Sequence, residues 1–239
     1  MELINILKKF RDAEVDTDIT CANWYTVAAA AMAAASAGPD VPKVYELATE
    51  GLSLEKKMLA QRRLKEAILK TSCLYGVPRS LQALLPLFAT IPDNEIDHYG
   101  PRFETVHSVP AQQVREEKAT KYFDTIWGEE AANVHRERNH KYQPDLYLLN
   151  LEMIYQWYFS EDTILNPIET QMCNASALIC SNCPVQAMWH TRGIVRHSGT
   201  KNQAKFAQEI GLAIASLYDC KTGEIVPVDD IDIGSQSAE

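Results

Sequence analysis

Apolar side chains along this chain recur every three or four positions and almost nowhere alternate, which is the spacing of amphipathic helices rather than of strands. Residues 2–11 carry apolar groups at helical spacing. Asp18 and Thr20 offer caps for a following helix, which runs through Trp24, Val27 and an alanine run to a stop at Gly38-Pro39. Alanine has the best helix propensity and lets a neighbouring helix approach closely, so this segment is predicted to be a buried packing helix. A short helix from Val41 to Glu50 follows. Ser53 then caps a long amphipathic helix in which Leu54, Met58, Leu64, Ile68 and Leu69 face the core, while Arg62, Arg63, Lys65 and Glu66 form a solvated face. Gly76-Val77-Pro78 ends it. Pro78 opens a further helix bearing Leu81, Leu84, Leu85 and Phe88, which Pro86 is expected to kink or shorten.

Residues 90–110, with Pro92, Gly100, Pro101 and Pro110, read as a linker in which His98 and His107 are exposed loop histidines. A polar helix is predicted over 111–126, and the polar run Asn133–Tyr142 leaves His135 and His140 facing solvent. Pro144 starts an aromatic helix with Leu146, Leu149, Met153, Tyr155, Trp157 and Phe159. A last amphipathic helix spans Lys201 to Tyr218. The tail from Lys221 is acidic and thinly hydrophobic, and is expected to be disordered. The fold class is all-α.

Composition narrows the choice of partners. A net charge of −9 argues against nucleic acid or an anionic membrane as the main partner. The longest apolar run, Val27–Ala35, is too short to span a bilayer. Met1–Arg11 places its charges after its apolar residues, the wrong order for secretion, and the final residues QSAE are not a peroxisomal or retention signal. These readings lead to a cytoplasmic expectation. The six cysteines do not form a secreted disulfide framework, and the single C-x-x-C, Cys180 to Cys183, lacks the second pair a zinc site would want. Neither metal nor cofactor is expected.

Candidate chemistry concentrates between Pro167 and Thr200, where Glu169, Cys173, Cys180, Cys183, Trp189 and His190 fall within about two helices. A glutamate facing a histidine on the next helix orients the imidazole and raises its pKa toward a proton shuttle; the same pair also serves merely to lock two helices. Pro184 suits the first position of a helix, which puts Cys183 at the N-cap, where backbone N–H groups favour a thiolate. Cys180 beside it would complete a dithiol. His190, seven residues past Cys183, is about 10 Å further along a helix, too far for a direct bond. Cys173 reads as a small apolar residue and His197 as a cation complementing a helix end.

The runs Glu169 to Trp189-His190-Thr191-Arg192-Gly193, Gly199-Thr200 and Gln208-Glu209-Ile210, with LKEAILKTSCLYGVPRSLQALLPLF at 64–88, resemble the carboxymuconolactone decarboxylase / alkylhydroperoxidase D-like family. The resemblance implies an all-helical, oligomeric protein built of two copies. Residues 1–92 would be a degenerate first copy, 93–119 a linker, 120–220 the copy carrying the site, and 221–239 the tail. It also implies a cofactor-independent enzyme for decarboxylation or isomerisation of a small-molecule substrate. His190 would be the acid/base, oriented by Glu169, with Trp189 and Tyr155 lining the pocket. Two alternatives stand beside this: a dithiol oxidoreductase using Cys180 and Cys183, and a non-catalytic oligomeric scaffold. The expected partners are a small molecule and further copies of the chain, with no nucleic acid and no membrane.

Overall fold

The computed structural model describes residues 1–14 and 18–234, and among these only helices, turns and loops occur. In chain order the helices are α1 Glu2–Ala13, α2 Trp24–Ala34, α3 Val41–Thr49, α4 Leu54–Tyr75, α5 Val77–Thr90, α6 Pro101–Thr105, α7 Val109–Trp127, α8 Glu129–Tyr142, α9 Pro144–Tyr147, α10 Pro167–Cys180, α11 Pro184–Arg196 and α12 Lys201–Leu217. Several boundaries lie where local chemistry places them. Ser53 caps α4 by accepting from the Lys56 N–H, and Gly76 ends it at a φ of 89°, which L-residues with a side chain rarely adopt.

Two local expectations change. The cap of α2 is Glu14, whose carboxylate accepts from the N–H groups of Asn23 and Trp24 at 2.7–2.9 Å, while Asp18 instead closes a turn on Thr20. Pro86 sits inside α5 without ending it. Proline deprives the Gln82 carbonyl of its helical donor, and Gly38 packs against that carbonyl: a Cβ at Gly38 would lie 2.4 Å from Gln82 O.

The aromatic segment expected as an ordinary helix from Pro144 continues after α9 as a π-helix, Leu148–Phe159, closed by the five-residue bond from Ser160 N–H to Tyr155 O. Leu151, Tyr155 and Phe159, four apart, are its buried face. They pack with Tyr122, Phe123 and Ile126 of α7 and Ala132 of α8 in a small core.

The main core is built around α10, which lies among α2, α4, α11 and α12. Every residue of α10 from Glu169 to Cys180 is buried, as is every residue of the alanine-rich α2. Residues from both 1–92 and 120–220 contribute to this core. Within 93–119 the chain forms α6 and the first half of α7, and Arg102 on α6 grips Glu66 of α4 in a bidentate pair at 2.7 and 3.0 Å.

The solvated face expected on α4 is therefore not one. Arg63, Glu66 and Lys70 are all buried, because helices pack on both flanks of α4 and each charge meets a partner there. The tail also departs from expectation. Residues 221–234 dock on the helices through buried Val228 and Ile231, with Gln208 donating to Val226 O and Arg196 to Ile233 O; residues 235–239, including the QSAE ending, lie outside the described residues. Among the described residues, no helix is long and apolar enough to cross a membrane.

Candidate functional site

Glu169 begins α10 in a capping box: its backbone N–H donates to Asn166 Oδ1, and its carboxylate accepts from the Asn166 N–H at 2.7 Å. The other carboxylate oxygen accepts from Arg63 Nη2 at 2.9 Å. Arg63 is held in turn by the Tyr25 hydroxyl at 2.8 Å and the Ala22 carbonyl at 3.0 Å. Glu169 is thus fully engaged by α4 and by its own helix turn.

His190 belongs to a different network. Its Nδ1 lies 2.8 Å from Gln171 Oε1, and Gln171 Nε2 donates to the Tyr122 hydroxyl at 2.8 Å. The Tyr122 ring stacks on His197, with centroids 4.4 Å apart, and Phe159 presents an edge-on contact to His190. Because Oε1 is an acceptor, His190 Nδ1 carries the proton. Burial, reinforced by neighbouring His197, pulls the His190 pKa down to about 4; burial alone does the same to His197. Both rings are neutral at pH 7, so His197 does not supply the cation expected at its helix end. Glu169 and Gln171 are two residues apart, about 200° around a helix. That angle sends Glu169 to α4 and leaves Gln171 to meet His190 of α11.

The glycine three positions after His190 has a packing reason. A Cβ at Gly193 would lie 2.7 Å from Gln171 Oε1, so only glycine leaves room for the amide that His190 and Tyr122 share. Trp189 is half-buried against Trp127, with centroids 4.7 Å apart, and His135 packs against both rings, 4.1 Å from Trp127 and 6.3 Å from Trp189, rather than standing free in solvent. Tyr155 is buried in the small core against Phe123 and Phe159 and borders a cavity of about 320 Å³ with Glu116, Arg136 and Tyr147. The structure does not bring Trp189, Tyr155 and Glu169 to one wall.

Cys183 is the N-cap residue of α11, and its thiol reaches the Ser181 carbonyl at 3.5 Å. Cys180 is buried and its thiol donates to Gly211 O on α12 at 3.4 Å, so the C-x-x-C sulfurs point to different neighbours. All six cysteines are free, and Cys173, buried in the core, has its thiol pushed up to about 12.

Sequence reasoning passed over Lys70. Its ammonium is fully buried and donates to Thr170 Oγ1 at 2.7 Å and to the Glu161 carbonyl, with the Leu165 and Phe159 carbonyls at 3.3 and 3.4 Å around its third N–H. Burial draws its pKa down to about 8. No local signal marked it: seven residues beyond Arg63, it falls on the face that the charge pattern reads as solvated.

Beside Glu169 lies a cleft of about 520 Å³. It forms where the N-terminal ends of α2, α10 and α12 converge, marked by Asn23, Asn166 and Thr200. Ile168, Met172 and Phe206 supply an apolar wall; Glu14, Asn202 and Gln203 add polar groups at the rim.

No family model matches the chain, and no solved structure matches it. Two curated proteins do. The chain is 26% identical to Peroxisomal protein 2 of Schizosaccharomyces pombe over 153 residues, 64% of this chain and 68% of the relative. It is 21% identical to Peroxisomal protein 2 of Saccharomyces cerevisiae over 247 aligned positions, 80% of this chain and 87% of the relative. These relatives overturn the resemblance to the carboxymuconolactone decarboxylase / alkylhydroperoxidase D-like family, and with it the decarboxylase function read from it. They overturn the cytoplasmic expectation too, since both are named for the peroxisome. The motif that suggested the family is one that packing also requires, as the Gly193–Gln171 contact illustrates.

Proposed function

We propose that this chain is a peroxisomal protein that holds a small organic molecule in the cleft beside Glu169. The compartment is supported by the names of both relatives. The ligand reading rests on the cleft itself: its volume of about 520 Å³ falls in the range of small-molecule sites, and its lining combines apolar Ile168, Met172 and Phe206 with polar Asn202 and Gln203. The helix ends around it are already satisfied, α2 by Glu14, α10 by Glu169 and α12 by the Thr200–Gln203 capping box. A free anion therefore gains little there, and the fitting ligand is an uncharged molecule with an apolar body and one or two hydrogen-bonding groups. In this reading the helices of 1–92 serve as the packing partner of 120–220, with α2 and α4 closing on α10.

The test has two arms. A fluorescent fusion of the full chain should co-localise with a peroxisomal marker in yeast; a diffuse cytosolic signal defeats the compartment. Thermal-shift measurements with short amides, esters and alcohols should raise the melting temperature of the wild type but not of a Met172→Trp variant that fills the cleft. Equal shifts in both defeat the ligand site.

A second copy of the chain is the partner the surface favours. Val77, Leu81, Leu85 and Phe88 are all exposed and form one stripe along α5. The only charge on that helix is Arg79, so two copies of a chain carrying −9 approach there with little repulsion.

A further inference from the structure

A second cleft, of about 360 Å³, opens where α2, α5, α10 and the end of α12 meet, and Cys180 and Cys220 both line it with Arg79 and Tyr218. The two cysteines thus face one opening from opposite elements, the Cys180 thiol turned to Gly211 O and the Cys220 thiol to Tyr218 O. Neither is placed by accident of packing. Cys180 ends α10 where Gly211 lets α12 come close, a Cβ there meeting Ser176 Cα at 3.1 Å, and its thiol is steered by Gly211 O. Cys220 follows Asp219, whose φ of 52° turns the chain back so that the Cys220 N–H bonds Ala215 O at 2.8 Å. Ser36 and Asn182, on the same rim, also hold positive φ, so three non-glycine residues around one cleft sit in a sparsely populated conformation.

We propose that Cys180 and Cys220 form a redox-responsive modification site, which a hydroperoxide converts to a disulfide stapling the segment after α12 to the end of α10. Cys220 is the nucleophile: it is the more exposed, and the neighbouring Cys180 thiol and then the Arg79 cation draw its pKa down to about 7. Cys180 stays protonated, held well above the usual thiol range by its neighbour Cys220 and by burial.

The Cys220 thiolate attacks one oxygen of the O–O bond, that bond breaks, and the other oxygen leaves with a proton as alcohol or water. Cys220 is now a sulfenic acid. The Cys180 sulfur attacks the Cys220 sulfur, the S–O bond breaks, and hydroxide leaves with the Cys180 proton as water. Two thiols lose two electrons and the hydroperoxide gains two.

Purified full-length protein treated with hydrogen peroxide, blocked with iodoacetamide and mapped by mass spectrometry without reductant tests this. The expected product is a Cys180–Cys220 cross-link with the loss of two hydrogens, reversed by dithiothreitol and retained in Cys183→Ser. In Cys180→Ser, Cys220 should advance to sulfinic acid. A Cys180–Cys183 disulfide, sulfinic acid at Cys220 of the wild type with Cys180 still free, or both thiols unreacted each overturns the proposal, and since the wild type carries the decisive map, a misfolded variant does not blur it.

Discussion

Arg63 Nη2 and Glu169 Oε1, from residues 106 apart in the chain, meet at 2.9 Å in the buried seam between α4 and α10. Truncating one partner leaves the other charge buried and unpaired, at a cost of about 3–5 kcal/mol. Arg63→Ala should therefore lower the free energy of unfolding by that amount in urea titrations. The double change Arg63→Met with Glu169→Leu should cost less than the sum of the single changes, since it leaves no orphaned charge.

The two neutral histidines make stability pH-dependent. With folded pKa values near 4 for His190 and His197 against about 6.5 in the unfolded chain, the unfolded state binds more protons between those limits. Stability should be constant above pH 6.5, fall as pH drops toward 4, and level off below it as far as these groups are concerned. At 1.36 kcal/mol per pKa unit, His190 accounts for about 3 kcal/mol across that window. Urea midpoints measured from pH 7 to 4 should fall less steeply in His190→Gln.

Gly193→Ala tests why glycine follows His190. The new Cβ would drive Gln171 Oε1 aside, and the displaced amide would lose His190 and Tyr122. Leaving those buried groups unsatisfied should cost about 1–3 kcal/mol. Thermal denaturation should show this loss, and it should shrink when Gln171→Ala is combined with Gly193→Ala.

The α5 stripe predicts self-association. Leu81→Glu with Leu85→Glu places charge on two exposed positions and should leave folding within about 0.5 kcal/mol of wild type. Light scattering coupled to size exclusion should show the wild type as a dimer and this variant as a monomer; an unchanged mass would place any contact elsewhere.

The helical character of the chain, the cap at Ser53, the stop at Gly76 and the burial of the alanine-rich α2 were legible in the sequence, because each depends on residues within one or two turns. Cys183 at the start of α11 was legible for the same reason. Local spacing also located each side chain around its own helix, yet it carried no information about which helix would lie opposite. Only the tertiary structure decided that Arg63, Glu66 and Lys70 are buried rather than solvated, that Glu169 faces Arg63 while His190 faces Gln171, and that Cys180 shares a cleft with Cys220. The physical reason is range: a turn is set by neighbours a few residues away, whereas a buried charge or thiol is defined by a partner tens of residues distant that only packing brings into reach.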